Sequence, residues 1–280
     1  MTQVPVRLEI AGHHIEAISV AGLETCIQFP GLDLCFDIGR CPPSAVSRRT
    51  VLFTHSHIDH MGGMVMHCAT RGLLHQSPPR YIVPAKMLEP IQVMLESWRQ
   101  LDGSELSCEL IGAHIGDRVP IRADLQAEVL RGYHPVPMHA YVLWKRHKRL
   151  SRALQGASRD QIMAARSRGE EVNEWTELPE IAFSGDSTIE LFDREPSLRK
   201  AKLLIMETTF LDSRVSVESA RSKGHIHLDE IIERADLFEN QAILFTHVSA
   251  RYGIAESQKI LDARLPEALR DRVHLLPPVR

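Results

Sequence analysis

The segment His55-Ser56-His57-Ile58-Asp59-His60 places four residues of metal-ligand type within six positions. It follows an apolar, β-branched run that predicts a β-strand. His55 and His57 stand two apart on extended chain and point the same way, whereas Asp59 and His60 lie in the turn toward the next helix. Burial of four such groups without a metal ion would leave unpaired polar atoms, which is costly. The segment therefore predicts a metal site at the end of a strand.

Three more residues of ligand type stand at or just after the ends of other predicted strands: His134, Asp186 and His247. Alone, each could be an ordinary core or surface residue. Their shared placement favours one common site that holds two metal ions. Imidazole and carboxylate ligands in this mixture suit zinc, with manganese or iron as substitutes.

The composition limits the class of protein. The 280 residues carry a formal net charge of −3 and are 44% hydrophobic, as in an ordinary globular chain. No apolar run approaches the roughly 20 residues that cross a bilayer, and no secretory signal is visible. The mild acidity argues against a protein that coats nucleic acid with its whole surface, but it leaves room for a local basic patch. Five cysteines without a CxxC pair predict reduced, packed thiols in a cytoplasmic protein.

The spacing of apolar residues predicts an α/β chain in which short strands alternate with helices. Helices are predicted in four stretches: 61–71, 88–101, 227–238 and 254–265. Strands cover most of the first half and recur between the later helices. This order indicates two βα-type halves that share one core. Because no long linker parts them, we expect a single domain over residues 1–280.

One stretch departs from the average composition. Residues 145–169 contain eight lysines and arginines against one acid, Asp160, so the rest of the chain is correspondingly acidic. By charge alone, a solvated basic helix or a disordered loop explains such a run. Contact with nucleic-acid phosphates is the alternative.

The order of motifs resembles the metallo-β-lactamase superfamily and, within it, the tRNase Z branch, the endonucleases that trim tRNA 3′ ends. After the HxHxDH box, that branch has a lone histidine and then GD[TS], ExTF, GH and HxSxRY motifs. The corresponding residues here are His134, Gly185-Asp186-Ser187, Glu207-Thr208-Thr209-Phe210, Gly224-His225 and His247-Val248-Ser249-Ala250-Arg251-Tyr252. The segments FDIGRCP and GHIH look most like the short, plant-type form. The resemblance implies an αββα four-layer sandwich with the metals in a cleft at one edge.

The resemblance also implies a role for each ligand. His55, His57 and His134 would hold one zinc ion, Asp59, His60 and His247 would hold a second, and Asp186 would bridge the two.

For the reaction, we interpret Asp59 as both a metal ligand and the proton acceptor from the attacking water. His225 would stabilise charge on the phosphate or protonate the leaving oxygen. Glu207 is interpreted as the residue that orients His225. A strand-end acid that bonds only local backbone is an equally good interpretation of Glu207.

In tRNase Z an arm between the lone histidine and the GD motif grips tRNA. The resemblance therefore assigns residues 145–173 as an inserted basic arm and a tRNA precursor as the partner. The residues expected to contact RNA are Lys145, Arg146, Lys148 and Arg149 on the arm, with Ser249 and Arg251 near the cut. Arg251 could equally be a structural ion-pair residue. The family implies a homodimer in which the arm of one subunit serves the site of the other.

The chain departs from the family pattern at Met138 and Ala140, where serine and glycine are usual, and it has an extra His139 that could approach the cleft or lie on the surface. His227 stands in place of a residue of the family's GHST motif, so His225 is the stronger catalytic candidate. Two alternatives stay open. One is a hydrolase of the same fold that cleaves a small phosphodiester or another nucleic acid. The other is a non-catalytic binding protein, against which the full ligand set argues.

Overall fold

The computed structural model describes residues 4–278 and contains two seven-stranded β-sheets, in each of which the strands follow chain order. The first sheet consists of β1 (Val6–Ile10), β2 (His13–Val20), β3 (Glu24–Phe29), β4 (Leu34–Phe36), β5 (Thr50–Leu52), β6 (Arg80–Pro84) and β7 (Glu109–Ala113). The second consists of β8 (Arg118–Arg122), β9 (Leu125–Arg131), β10 (His139–Leu150), β11 (Asn173–Phe183), β12 (Leu203–Glu207), β13 (Ala242–Thr246) and β14 (Val273–Leu275).

Helices connect the strands in both halves of the chain. They are α1 (Ile58–Met61), α2 (Met64–Leu73), α3 (Leu88–Asp102), α4 (Arg159–Ser167), α5 (Glu190–Arg194), α6 (Pro196–Lys200), α7 (Val217–Ser222), α8 (Leu228–Ile232), α9 (Ile254–Arg264) and α10 (Glu267–Arg270). Short 3₁₀ helices occupy Pro30–Leu32, Pro43–Ser47, Ala85–Met87, Arg152–Leu154 and Ala235–Leu237.

Both sheets change from antiparallel to parallel pairing at their fourth strand. In the first sheet β1 to β4 are antiparallel and β4 to β7 are parallel. In the second, β8 to β11 are antiparallel and β11 to β14 are parallel. The two βα-type halves predicted from the sequence are therefore confirmed. Parallel strands end at a common sheet edge, and ligands of α/β sheets bind outside such carboxyl ends.

Side-chain alternation along the strands separates the layers. On β12, Leu203 and Ile205 point into an apolar layer between the sheets, where they meet residues such as Phe36 and Phe183. Leu204 and Met206 point the other way, into a cluster formed with the helices of the second half. A third cluster covers the outer face of the first sheet. The four-layer αββα sandwich is therefore confirmed.

The predicted helix over 61–71 is wrong in its boundaries, because two helices, α1 and α2, share this region. The chain bends between them at Gly62 and Gly63. A Cβ on Gly63 would lie 2.6 Å from the backbone nitrogen of Cys41, and one on Gly62 would lie 2.5 Å from the carbonyl oxygen of Ile58. The break is therefore a close approach of backbone to backbone that only glycine permits.

The basic segment forms a projecting ribbon. Strand β10 pairs with β9 as far as Lys145, and beyond that point the ladders of the described residues pair it with β11 alone, out to Leu150 and Asn173. A 3₁₀ turn and α4 close the far end, and α4 begins at a Ser158 capping box. The positive charge is partly offset, because Glu177 of β11 lies 3.7 Å from Arg146.

The structure bears out two further expectations drawn from composition. All five cysteines are free. Among the described helices, none combines the length and the apolar character that a membrane crossing requires.

Substitution of Gly63 by alanine tests the close approach at the α1–α2 bend. We expect Gly63→Ala to lower the free energy of unfolding by about 1–3 kcal/mol, because the new Cβ overlaps backbone that cannot move aside. The control is Gly72→Ala within α2, where a Cβ meets nothing within 4 Å. That variant should be unchanged or more stable by up to about 1 kcal/mol. Urea denaturation of both proteins measures the difference, and equal stabilities would contradict the account.

Candidate metal centre and active site

The residues predicted to bind metal come together at the edge where the parallel strands end. His55 and His57 lie in the loop after β5, and Asp59 and His60 lie in α1. Asp186 follows β11 and His247 follows β13. Their ligand atoms fall into overlapping groups, each within 4.8 Å. The sequence motifs thus converge because each one terminates or follows a strand of the same edge.

His134 also reaches this edge, but the prediction that it ends a strand is wrong. The β9–β10 ladder closes where Arg131 pairs with His139, and the chain between them forms a loop. His134 is half-buried on this loop. Its Nδ1 lies 3.0 Å from the carbonyl oxygen of Gly224, which orients the opposite nitrogen toward His57.

His55, His57 and His134 form one potential ligand group. The Nε2 of His55 is 3.0 Å from the Nδ1 of His57, which is 3.3 Å from the Nε2 of His134. Ligand atoms about 2.0–2.1 Å from a tetrahedral zinc ion are separated by about 3.3 Å. The spacing of the three nitrogens is therefore that of ligands around one ion.

Asp59, His60 and His247 form a second group. The Nε2 atoms of His60 and His247 are 3.4 Å apart, and the Oδ2 of Asp59 lies 3.7 and 3.6 Å from them. The backbone N–H of Gly22 donates to the same oxygen of Asp59 at 2.8 Å. This group has the same ligand spacing and a carboxylate fixed by the backbone.

Asp186 lies between the two groups. Its Oδ2 is 3.3 Å from the Nε2 of His60 and of His247, and 3.9 Å from the Nε2 of His55. Burial opposes ionisation, but His247 and His60 hold the pKa of the Asp186 carboxyl well below its usual range. The position matches the bridging role that the resemblance implies.

The outer nitrogens of four of the five candidate ligand histidines are held by the protein. The Nδ1 of His55 lies 3.0 Å from Thr54 Oγ1, and that of His60 lies 2.8 Å from Asp37 Oδ2. The Nδ1 of His134 lies 3.0 Å from the carbonyl oxygen of Gly224, and that of His247 lies 3.0 Å from Thr209 Oγ1. Such partners fix ring orientation and leave the other nitrogen for a metal. Burial, assisted by His60, lowers the pKa of His55 well below its usual value, so that ring is neutral and has a free lone pair. The donor set therefore fits two zinc-type ions.

Sequence reasoning missed Asp37 and Thr209. Asp37 is fully buried, and its carboxylate accepts the backbone N–H and the hydroxyl of Thr54 at 2.7 and 2.8 Å in addition to its contact with His60. The available signal was an acid directly after a short apolar strand, in the segment FDIG. Thr209 gave no comparable signal beyond its place in the ExTF motif.

His225 lies beside the cluster, and Glu207 holds it. Its Nδ1 is 2.9 Å from the Oε1 of Glu207, and its ring centre is 5.4 Å from that of His134 and 5.3 Å from that of His247. Burial would lower the pKa of His225, but Glu207, followed by Asp186, raises it to about 9. His225 also lies within ligand distance of Asp186 and His247. The arrangement supplies a protonated imidazole at the cleft.

The Glu207 carboxylate contacts both His225 and local backbone. Besides His225, the buried carboxylate accepts backbone N–H groups from Ser187, Thr209 and Ile226, at 3.1, 3.2 and 3.2 Å. A carboxylate with this many donors cannot rotate freely, so the group that bonds local backbone also fixes the His225 ring.

His227 has a structural position. It is buried, its Nδ1 accepts the backbone N–H of Asp229 at the start of α8, and its Nε2 lies 3.0 Å from the carbonyl oxygen of Asp212. Both ring nitrogens are thus engaged away from the metal groups. This agrees with His225 as the stronger catalytic candidate.

Arg251 stands over the ring of Phe210, 5.7 Å from its centre, and Lys223 lies 5.4 Å from the same ring. Phe210 in turn meets His225, with ring centres 6.2 Å apart. The ion pairs of the described residues include none for Arg251, so an ion-pair role has no support. Ser249 is half-buried beside it. Lys223 is a cation near the cleft that sequence reasoning missed.

The arm residues lie far from the metal groups. At about 3.3 Å per residue, Lys145 and Arg149 stand about 20 and 33 Å along β10 from His139, which borders the site. Lys148 and Arg149 are exposed, whereas Lys145 and Arg146 are half-buried. These side chains therefore cannot take part in the chemistry and are available only to a large substrate.

Comparison with known proteins identifies the family. The β-lactamase superfamily domain matches residues 39–248. The chain is 43% identical to tRNase Z TRZ1 of Arabidopsis thaliana over 271 residues, which make up 96% of each protein. It is 38% identical to the chloroplastic tRNase Z TRZ2 of the same plant, over 89% of this chain and 71% of that protein.

A solved structure shows the same fold. The short form of human tRNase Z superposes with a TM-score of 0.59 at 15% identity, over 92% of this chain and 94% of that chain. The chain belongs to the tRNase Z family of the β-lactamase superfamily.

Proposed function

We propose that this protein is a zinc-dependent endoribonuclease that removes the 3′ trailer of tRNA precursors by hydrolysis of a phosphodiester. The observation that carries the proposal is the double ligand group with the His225–Glu207 pair beside it. The names of the curated relatives supply the reaction class. The fold alone would not do so, because one fold supports many reactions.

The ligand assignment follows the distances. His55, His57 and His134 would hold one zinc ion, Asp59, His60 and His247 the other, and Asp186 both. Ions held there would supply the Lewis acidity that activates water and neutralises charge on the phosphate.

Asp59 is proposed to accept the proton of the attacking water. Burial opposes ionisation, but the nearby imidazoles of His247 and His60 hold the pKa of the Asp59 carboxyl well below its usual range, so the group is ionised. Gly22 and the histidines contact Oδ2, whereas Oδ1 has no hydrogen-bond or ion-pair partner among the described residues. That oxygen is free to accept a proton.

His225 is proposed to donate a proton to the leaving oxygen or a hydrogen bond to the phosphate. Glu207 occupies Nδ1, so the donor that faces the cleft is Nε2. Glu207 is accordingly a positioning residue for His225. Lys223 and Arg251, which both lie near the Phe210 ring, are proposed to contact substrate phosphates together with Ser249.

The arm is proposed to bind a distant part of the tRNA precursor, through Lys145, Arg146, Lys148 and Arg149. Because the charge of Arg146 is partly offset by Glu177, we assign the larger contribution to RNA binding to the exposed Lys148 and Arg149. We also propose a homodimer, in which one arm serves the partner's site, and a cytoplasmic location, for which the free cysteines are the support.

Cleavage of a 3′-extended tRNA precursor tests the proposal. We expect one cut near the mature 3′ end and comparatively slow hydrolysis of bis-p-nitrophenyl phosphate, because only the long substrate reaches the arm. Gel analysis of the RNA and absorbance for the ester give the two rates. If the ester is hydrolysed while the precursor stays uncleaved, the endoribonuclease is rejected and a small-molecule phosphodiesterase is favoured.

Replacement of His225 by alanine separates proton donation from metal binding. We expect His225→Ala to lower kcat on the precursor by about 10²–10⁴-fold. Zinc content, measured by mass spectrometry, should equal that of the wild type. The control His75→Ala changes an exposed histidine and should retain activity. A His225→Ala protein that loses zinc would show that the residue is a ligand instead.

A further inference from the structure

A cavity of about 340 Å³ opens beside the metal centre and is bordered by His134. Its walls come from both sheets: residues 84–86 at the end of β6, residues 113–115 at the end of β7, and residues 131–139, which join β9 to β10. This volume lies at the small end of pockets that bind small molecules. The cavity therefore suits a group no larger than one nucleotide.

His139 lines this cavity, and its ring nitrogens have no hydrogen-bond partner among the described residues. The ring itself meets that of Tyr141 edge-on, with 6.1 Å between the ring centres. The side chain is 5% exposed, and the backbone N–H donates to the carbonyl oxygen of Thr54 at 2.9 Å. Its Nδ1 is enclosed without a hydrogen bond, and Nε2 has no partner among residues 4–278. Burial and the nearby His114 lower the pKa of His139 to about 4. The ring is thus a neutral donor and acceptor, and a buried polar group without a partner calls for an explanation.

The rest of the lining combines apolar and cationic groups. Ile115, Pro135 and Val136 provide apolar surface, and Lys86 and Arg131 are exposed cations at the rim. Neither cation forms an ion pair within the described part of the chain. His114 and His134 also line the cavity. Apolar walls beside the unpartnered nitrogens of His139 suit a nucleobase, and unpaired cations suit a phosphate.

We infer that this cavity is a nucleotide subsite, in which His139 bonds the edge of a base that flanks the scissile phosphate. The phosphate of that nucleotide faces Lys86 and Arg131. The inference rests on the proposed function, because it takes the substrate to be RNA. It gives His139 a role in selecting the nucleotide at the cut.

Binding of mononucleotides to the purified, metal-loaded protein tests the subsite. Isothermal titration with AMP, GMP, CMP, UMP and ribose 5-phosphate should show at least one nucleotide that binds about tenfold more tightly than ribose 5-phosphate. His139→Ala should reduce this advantage by about three- to tenfold, the effect of one hydrogen bond. His139→Gln should recover part of it, and the control His75→Ala should retain all of it.

Two results would overturn the inference: no nucleotide binds better than ribose 5-phosphate, or the advantage survives unchanged in a folded His139→Ala protein. If that variant does not fold, Val136→Trp replaces it, since a bulky ring on the cavity wall should remove the advantage. Precursor cleavage is measured separately. Base-dependent binding without precursor cleavage would reject the endoribonuclease and support the subsite. Precursor cleavage without base-dependent binding would support the endoribonuclease and reject the subsite.

Discussion

The candidate metal centre depends on hydrogen bonds that aim one ring nitrogen of His55, His60, His134 and His247 inward. His60 shows the constraint most clearly, because its ring is fully buried between Asp37 at 2.8 Å and Asp186 at 3.3 Å. Burial alone would lower the pKa of His60, but Asp186 and Asp37 raise it well above its usual value. The site thus stabilises positive charge at its centre, which is the property that a metal-binding cleft requires.

The sheets place these bonds where they are needed. Because β5, β12 and β13 are parallel to both of their neighbours and β11 is parallel to β12, the residues that follow these strands meet at one edge. Asp37 after β4 then holds the ring of His60 in α1, and Thr209 after β12 holds the ring of His247 after β13. Ligands and supports therefore come from segments far apart in the chain, and the sandwich core holds them in register.

Motif order and strand-end placement predicted the fold and which candidate ligands come together, because those depend on local patterns. Cross-strand contacts were beyond such reasoning. Asp37 looks like any strand-end acid until β4 and β5 pair, and the charge of the arm looked larger than it is because Glu177 returns on β11. The sequence pattern placed His134 at the end of a strand, but β9 ends at Arg131. The next residue, Gly132, packs against Met138 so closely that a Cβ would come 1.3 Å from the Met138 sulfur, and this contact is visible only in the folded chain.

The departure at Met138 and Ala140 leaves the centre intact, since both residues are buried. Met138 also packs against Gly185, the residue before Asp186.

We propose that this edge holds two zinc ions per chain. The most direct measurement is zinc stoichiometry by mass spectrometry after equilibrium dialysis in a zinc buffer. We predict two ions per chain in the wild type and about one in His134→Ala. One ion or none in the wild type would contradict the account.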